Sequence, residues 1–281
     1  MKKIYLIFVM LLLVNAGFAQ STRLVLVEEF TGETCGPCAA SNPAFNVKLN
    51  SLAGQVISLK YENHIPSAGP NFYQYGITDI DARSVYYNNY SGANAYSPHG
   101  FMDGNVWQGN VASWTTTLGI NRANVSSPFT IEASHSFSPA HDIIYVHAVI
   151  RASQAVNGTN LKARVAVSER DVYGYTSPNG ESEFDHVVRK LLPDAAGTDI
   201  PEVWAIGDSA VLDLSWTIAT PGTNIDMPIW AMLEAIVWVQ EDANMQIMQT
   251  GHSPALISVD AAVNELQMDA ISCLTSVAPV V

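Results

Sequence analysis

Apolar residues along this chain follow two different spacings, and the change between them falls near residue 128. Residues 23–28 form a nearly continuous apolar run of strand length, apolar side chains then recur at helical spacing up to Leu52, and residues 55–61 form a second strand-like run. Such continuous runs are typical of strands covered on both faces. Strand, helix and strand joined by short connections therefore predict a βαβ unit with a parallel strand pair.

The rest of this first part contains two more predicted helices and a hairpin. Residues 79–87 and 111–125 have helical spacing, while residues 99–103 and 105–108 flank Gly104 as the two strands of a hairpin would.

Beyond residue 128 the spacing changes to strict alternation, which is typical of half-buried strands. Six such segments are separated by turn residues, at 129–137, 143–152, 161–169, 211–219, 229–240 and 245–250. The pattern predicts an α/β part followed by an all-β, sandwich-like part.

The first residues of the chain predict export. Lys2 and Lys3 precede an apolar run at 4–14, and small residues follow at 17–19. This is the pattern of a secretory signal peptide over residues 1–19, because the apolar run is too short to span a bilayer. We expect an oxidising compartment, in which cysteine pairs persist as disulfides.

Charge and composition bear on the class of partner and on the role of the cysteines. Thirteen basic residues face 26 acidic ones, for a net charge of −13, which argues against nucleic acid as a partner. Because 48% of the residues are hydrophobic, the core does not need disulfides to hold it, and the cysteines are expected to be chemical rather than structural.

Two of the three cysteines stand in the stretch EEFTGETCGPC, which ends at Cys38. Cys35 follows a buried strand and opens a helix, where free backbone N–H groups favour a thiolate. Cys35 is therefore the predicted attacking sulfur, and Cys38, one turn later, the resolving one. Pro37 stiffens the first turn of the helix.

This cysteine pair has two other interpretations, a zinc site and a structural disulfide. A zinc site would need two more ligands, and no second CxxC or paired-histidine spacing occurs, so we expect no metal and no cofactor. A structural disulfide would restrict the unfolded chain little, because the loop it closes is short. It stays open as the alternative to a redox dithiol. Cys273 lies in a predicted tail and is expected to be incidental.

The stretch around the cysteines resembles thioredoxin, including Pro43, at the position of that family's kinking proline. The resemblance implies that Glu29 manages the proton of Cys38. It also implies a cis-proline beside the dithiol, for which Pro98 is the candidate, and a docking surface for an extended partner formed by Gly36, Pro37 and Ser97.

Most of the chain is similar to the family related to the 28-kilodalton outer-membrane protein of Bacteroidota. The similarity rests on EEFTGETCGPC, LKYENHIP, DARSVYY, SPHGFMDG and NGESEFDHVVRKLLPDAAG. It implies an exported protein of the periplasm, outer membrane or cell surface. The expected organisation is a thioredoxin-like domain at 20–125, a β-sandwich domain at 126–257 and a tail at 258–281, which resembles the approach to a type IX sorting domain but lacks its expected body.

Two functions follow as hypotheses. The first is a thiol–disulfide oxidoreductase acting on protein thiols or disulfides of unidentified clients, with Cys35, Cys38, Glu29 and Pro98 as its working residues. It requires that Cys35 be reachable by other proteins. The second is a surface binding or adhesion protein in which the disulfide is silent. The β-rich part could also dimerise the protein or present clients, and the sequence does not specify an oligomeric state.

Overall fold

The computed structural model describes residues 21–218 and 227–254. The predicted signal peptide at 1–19, the tail at 258–281 with Cys273, and the end of the strand predicted at 211–219 lie outside the described residues. None of the helices within the described ranges combines the length and the apolar character that crossing a membrane would require.

The first part of the chain contains the predicted βαβ unit, a hairpin and short helices. Its elements are β1 (Val25–Thr31), α1 (Gly36–Asn50), β2 (Val56–Glu62), α2 (Phe72–Tyr75), α3 (Ile77–Tyr86), β3 (His99–Met102), β4 (Trp107–Gly109) and α4 (Thr116–Ala123). β1 and β2 pair in parallel, and every residue of both strands is buried. The predicted helix at 111–125 is shorter than expected, because a 3₁₀ turn at Val111–Ser113 precedes it.

The second part consists of strands. They are β5 (Phe129–Phe137), β6 (Ile143–Ala152), β7 (Val156–Asn157), β8 (Leu161–Val172), β9 (Phe184–Leu192), β10 (Thr198–Asp199), β11 (Val203–Trp204), β12 (Ser209–Thr217), β13 (Leu233–Glu241) and β14 (Gln246–His252). The strand predicted from residue 229 begins later, because a 3₁₀ turn at Trp230–Met232 comes first.

The two parts share one sheet. Its strand order is β14-β13-β8-β9-β2-β1-β3-β4, with β10 paired to β8. β9 is not among the six segments predicted from alternation. It lies between β8 and β2 and pairs with β2 through Lys60 and Val187. Strands on both sides of the expected boundary at residue 125 thus belong to the same sheet.

A second sheet of three strands, β12-β6-β5, packs on the part of the large sheet that contains β8 and β13. The core between them is apolar and includes Phe129, Val165 and Val237. On the large sheet, β1 is covered on one face by α1, through Val25, Val27 and Phe45. Because side chains alternate along a strand, Glu29 and Thr31 lie on this same α1-facing side.

Candidate functional site

The dithiol lies where β1 ends and α1 begins. Cys35 and Cys38 form a disulfide, with their Cα atoms 5.2 Å apart. Cys35 is the N-cap of α1, and its Sγ accepts a hydrogen bond from the backbone N–H of Cys38 at 3.1 Å. The sulfur therefore sits among the free N–H groups at the positive end of the helix, which favours a thiolate once the disulfide is reduced.

The disulfide is closed off from solvent. Cys35 is 1% exposed and Cys38 0%, whereas Gly36 and Pro37 between them are exposed. The expectation that Cys35 is directly reachable is therefore wrong for this oxidised state. Only the peptide of the CGPC turn, and not its sulfur atoms, faces solvent.

A loop from the second part of the chain is tied to this turn. We call residues 173–183 the β8–β9 loop. The side-chain amide of Asn179 donates to the carbonyl oxygens of Gly32 at 3.1 Å and Cys35 at 2.9 Å, and its backbone N–H donates to the carbonyl oxygen of Glu33 at 3.1 Å. This contact fixes the turn that carries Cys35 from outside the βαβ unit.

Glu33 and Thr34 anchor the other side of the turn. The carboxylate of Glu33 is 0% exposed and accepts hydrogen bonds from the backbone N–H of Phe72 at 2.9 Å and from the hydroxyl of Tyr175 at 2.5 Å. The hydroxyl of Thr34 donates to the carbonyl oxygen of Ser67 at 2.7 Å. The segment before Cys35 is thus held between the loop that follows β2 and the β8–β9 loop.

Pro98 lies at the same end of β1 as the dithiol. The Ser97–Pro98 peptide is cis, and the next residue, His99, pairs with Phe30 of β1. The hydroxyl of Ser97 donates to Asn63 Oδ1 at 3.1 Å, and the backbone N–H of Asn63 donates to the carbonyl oxygen of Thr31 at 2.8 Å. Pro98 is buried and Ser97 half-buried.

Glu29 has an unusual environment for a carboxyl group. It is 0% exposed, and neither of its side-chain oxygens has a hydrogen-bond partner among the described residues. Burial, followed by the charges of Asp185 and Glu181, raises the pKa of Glu29 from 4.5 to about 7, against the opposing effect of Lys60. The group therefore changes its protonation state near neutral pH.

Lys60 is directly opposite Glu29 in the β1–β2 register but does not bind it. Its ammonium group donates to Asn46 Oδ1 at 2.5 Å and to Asp185. Although burial opposes the charge on Lys60, Asp185 and Glu29 raise its pKa above the ordinary value. Lys60 therefore stays charged, with its hydrogen bonds directed to residues other than Glu29.

Two further carboxyl groups lie with Glu29 and Lys60 on the α1-facing side of β1 and β2, which we call the buried layer. Glu62 pairs with Thr31 in the register and is 1% exposed, and burial together with the charge of Glu181 raises its pKa well above 4.5. Glu181, from the β8–β9 loop, is 7% exposed and accepts a hydrogen bond from Asn42 Nδ2 at 2.7 Å. We refer to Glu29, Glu62 and Glu181 as the carboxyl cluster.

Four residues of the site were not predicted from the sequence: Lys60, Glu62, Glu181 and Asn179. For Lys60 and Glu62 a signal existed, because charged residues interrupt a run that otherwise predicts a strand buried on both faces. Asn179 and Glu181 lie in the stretch NGESEFDHVVRKLLPDAAG, but nothing in it indicated contact with the dithiol site, since their partners there lie more than a hundred residues away. Within the described ranges, no group of three or more His, Cys, Asp or Glu residues is arranged to hold a metal ion.

Comparisons with known proteins relate the chain to others through its fold. No protein-family model matches the sequence, and comparison with curated protein sequences also gave no match. The solved structure of HBP35 of Porphyromonas gingivalis is similar with a TM-score of 0.65 at 13% identity, over 84% of this chain and 76% of that one. A protein of Agrobacterium tumefaciens gives a TM-score of 0.51 at 15% identity, over 85% of this chain and 98% of that one.

A domain of the outer membrane lipoprotein Omp28 from Porphyromonas gingivalis also matches, at 9% identity over 45% of this chain and 87% of that domain. Its TM-score of 0.32 is too low to indicate a shared fold. The fold of this chain is thus similar to that of HBP35, and at 13% identity the likeness extends to the fold alone.

Proposed function

We propose that this protein is an exported, thioredoxin-like thiol–disulfide oxidoreductase of the cell envelope that acts through Cys35 and Cys38. The observation that carries the proposal is Glu29, a fully buried carboxyl group without a hydrogen-bond partner among the described residues, on the α1-facing side of the strand that leads to the dithiol. A carboxyl group in that state is costly to the fold, and such groups concentrate at sites where a proton must move.

The chemistry assigned to each residue follows from its position. The Cys35 thiolate attacks one sulfur of a client disulfide, which forms a mixed disulfide and releases the other client sulfur as a thiolate. Cys38 gives its thiol proton to the Glu29 carboxylate and attacks Cys35 Sγ. The internal disulfide then forms, the second client thiolate leaves, and two electrons have passed to the client. A Glu29 pKa of about 7 suits a group that takes and returns this proton near neutral pH.

The surroundings of the dithiol support a thioredoxin-like assignment. The disulfide opens the helix of a βαβ unit, and the cis Ser97–Pro98 peptide stands at the start of the strand next to β1. We assign Pro98 and Ser97, with the exposed Gly36 and Pro37, to docking of an extended client segment. Because Cys35 is 1% exposed when oxidised, an attacking thiol needs the CGPC turn or the β8–β9 loop to move first.

Export and family membership belong to the same proposal. The leader pattern of residues 1–19 and a dithiol held as a disulfide both fit an oxidising compartment. The sequence motifs that resemble the Bacteroidota outer-membrane family, together with a fold similar to that of a Porphyromonas protein, support placing the chain in that group.

The test is equilibration of the purified protein with defined ratios of reduced to oxidised glutathione, followed by reduction of a model disulfide. We expect measurable turnover, which Cys35→Ser abolishes. Expressed in cells, Cys38→Ser should accumulate mixed disulfides that a reductant releases, because the resolving sulfur is gone. A Cys35→Ser/Cys38→Ser control should trap nothing. No turnover together with an empty Cys38→Ser trap would refute the oxidoreductase assignment.

A second function, surface binding with a silent disulfide, is favoured by the burial of Cys35 and by the Asn179 hydrogen bond to its carbonyl oxygen. In that case the disulfide would resist glutathione at every ratio that reduces accessible disulfides. The Cys35→Ser/Cys38→Ser variant would bind its ligand as the unmodified protein does. Loss of ligand binding in the folded Cys35→Ser/Cys38→Ser variant would exclude this alternative, because the disulfide would then not be silent.

A further inference from the structure

Glu181 belongs to the second part of the chain, yet its side chain lies within the dithiol site. Its Oε1 accepts a hydrogen bond from Asn42 Nδ2 at 2.7 Å, and the same amide nitrogen donates to Thr31 Oγ1 at 3.0 Å. Asn42 is four residues after Cys38 in α1, so the two side chains lie on one face of the helix. Glu181 thus sits one helical turn from Cys38, on the side of the sheet that also carries Glu29.

The buried layer holds more acceptors than donors. The oxygens without a hydrogen-bond partner among the described residues are Glu29 Oε1 and Oε2, Glu62 Oε2, Glu181 Oε2 and Asn42 Oδ1. All belong to buried residues, and acceptors cannot satisfy one another unless some of them carry protons. The geometry therefore calls for protons held within the carboxyl cluster.

The charges around Glu29 lead to the same requirement. On β2, Glu29 faces Lys60 and Glu62. The β8–β9 loop and β9 contribute Glu181 and Asp185. On β3, the residue paired with Glu29 is the uncharged Gly100. The residues that α1 contributes to this layer are the uncharged Cys38, Asn42 and Asn46. Lys60 brings a positive charge, but its hydrogen bonds go to Asp185 and Asn46. Neighbouring buried carboxyl groups that share so little positive charge cannot all ionise.

We propose that Glu181 is a positioning residue of the dithiol site. It forms with Glu29 a carboxyl pair that holds one proton and exchanges this proton with Cys38. This inference rests on the proposed function for the transfer to Cys38, but the pair itself does not. Burial is the first cause that raises the pKa of each group, and the charge of Glu181 adds to this effect at Glu29. The second part of the chain would then supply part of the redox chemistry rather than only a binding surface.

Reduction of the disulfide takes one proton from the carboxyl pair. When the thiolate of a reductant, for example glutathione, attacks Cys35 Sγ, the Cys35–Cys38 bond breaks and Cys38 leaves as a thiolate. The pair gives it a proton and becomes more negative by one charge. A second glutathione thiolate attacks the sulfur of the glutathione bound to Cys35 and releases Cys35 as a thiolate with oxidised glutathione. Water returns the proton to the pair.

The direct test is titration of Glu29 in the oxidised full-length protein, followed by carboxyl signals in ¹³C NMR after glutamate labelling and assigned with Glu29→Gln. In Glu181→Gln, which keeps an acceptor for Asn42, the titration of Glu29 should move to lower pH by about half a unit or more. Glu181→Met removes both the charge and the hydrogen bond, and the same direction of shift is expected. Glu183→Gln, an exposed residue of the same loop, is the matched control and should leave the titration in place.

A second readout separates this inference from the proposed function. The pH profile of glutathione exchange should shift toward lower pH in Glu181→Gln, whereas a merely structural role would lower the rate equally at every pH. An unchanged Glu29 titration in folded Glu181→Gln and Glu181→Met would overturn the carboxyl pair, whatever the exchange rate. If the Glu29 titration shifts as expected in the Glu181 variants but the unmodified protein shows no glutathione exchange, the redox role is overturned and the carboxyl pair is supported.

Discussion

Asn179 donates a hydrogen bond to the carbonyl oxygen of Cys35 at 2.9 Å across 144 residues of chain. The same amide group also donates a hydrogen bond to the carbonyl oxygen of Gly32, three residues before Cys35. This contact joins the β8–β9 loop to the turn that holds the disulfide. We expect these hydrogen bonds to restrict movement of the turn.

Replacing Asn179 with Ala should therefore make the disulfide more reactive. The change removes both side-chain hydrogen bonds to the turn, so that Cys35 becomes exposed more often. We expect reduction by dithiothreitol, followed by thiol labelling and mass spectrometry, to be several-fold faster. Each lost hydrogen bond to the backbone is worth about 1 kcal/mol, which sets the scale of the change.

The matched control is Ser182→Ala, an exposed position in the same loop, which should react at the rate of the unmodified protein. Equal rates for Asn179→Ala and Ser182→Ala would mean that the β8–β9 loop does not limit access to the disulfide.

Glu29 should make the stability of the oxidised protein depend on pH. Its pKa is raised from 4.5 to about 7 in the folded state, so the folded protein binds this proton more tightly than the unfolded chain. The favourable contribution is full below about pH 4.5 and is lost as the pH rises toward about 7, where the carboxylate is left buried and charged. Glu29→Gln should therefore flatten the dependence and exceed the unmodified protein in stability above pH 7, by up to about 3 kcal/mol.

Urea unfolding with the disulfide intact, measured at pH 5, 6, 7 and 8, checks this expectation. Glu132→Gln, an exposed residue of β5, provides the control and should follow the unmodified protein. The assignment fails if the stability difference between Glu29→Gln and the unmodified protein is the same at pH 5 and pH 8.

The opposite face of β1 carries a buried ion pair, and removal of one partner should be strongly destabilising. Arg83 Nε and Nη2 donate to the two carboxylate oxygens of Glu28 at 2.8 and 2.7 Å, and both residues are 0% exposed. Arg83→Met would leave Glu28 charged and buried without its partner. We expect a loss of about 3–5 kcal/mol in the free energy of unfolding, measured by urea titration at pH 7.

The comparison is Asp199→Asn, which breaks the pair with Lys162 at a site where the Asp199 side chain is 85% exposed. Exposed pairs contribute little, so this variant should unfold close to the unmodified protein. A similar effect of the two substitutions would show that Glu28 without Arg83 does not carry the penalty of an unpaired buried charge.

Local pattern was enough to predict the βαβ unit, the helix that Cys35 opens, and most of the strands of the second part. β5 and β6 begin and end at the predicted residues, because strict alternation over nine or ten residues leaves little choice of element. It was not enough to place β9 between β2 and β8. The mixed charges of this strand gave it no clear alternation, and its neighbours are set by long-range pairing.

The sequence by itself determined that a cysteine pair stands at the start of a helix behind a buried strand, with Glu29 six residues before Cys35. Those features depend on residues close together in the chain, whose spacing acts directly on backbone geometry. Only the tertiary structure decided that Cys35 is buried and that Asn179 and Glu181 join the site. Burial and the pKa of Glu29 depend on which distant groups fill the surrounding space. Folding brings those groups together from parts of the chain whose local sequences do not indicate this contact.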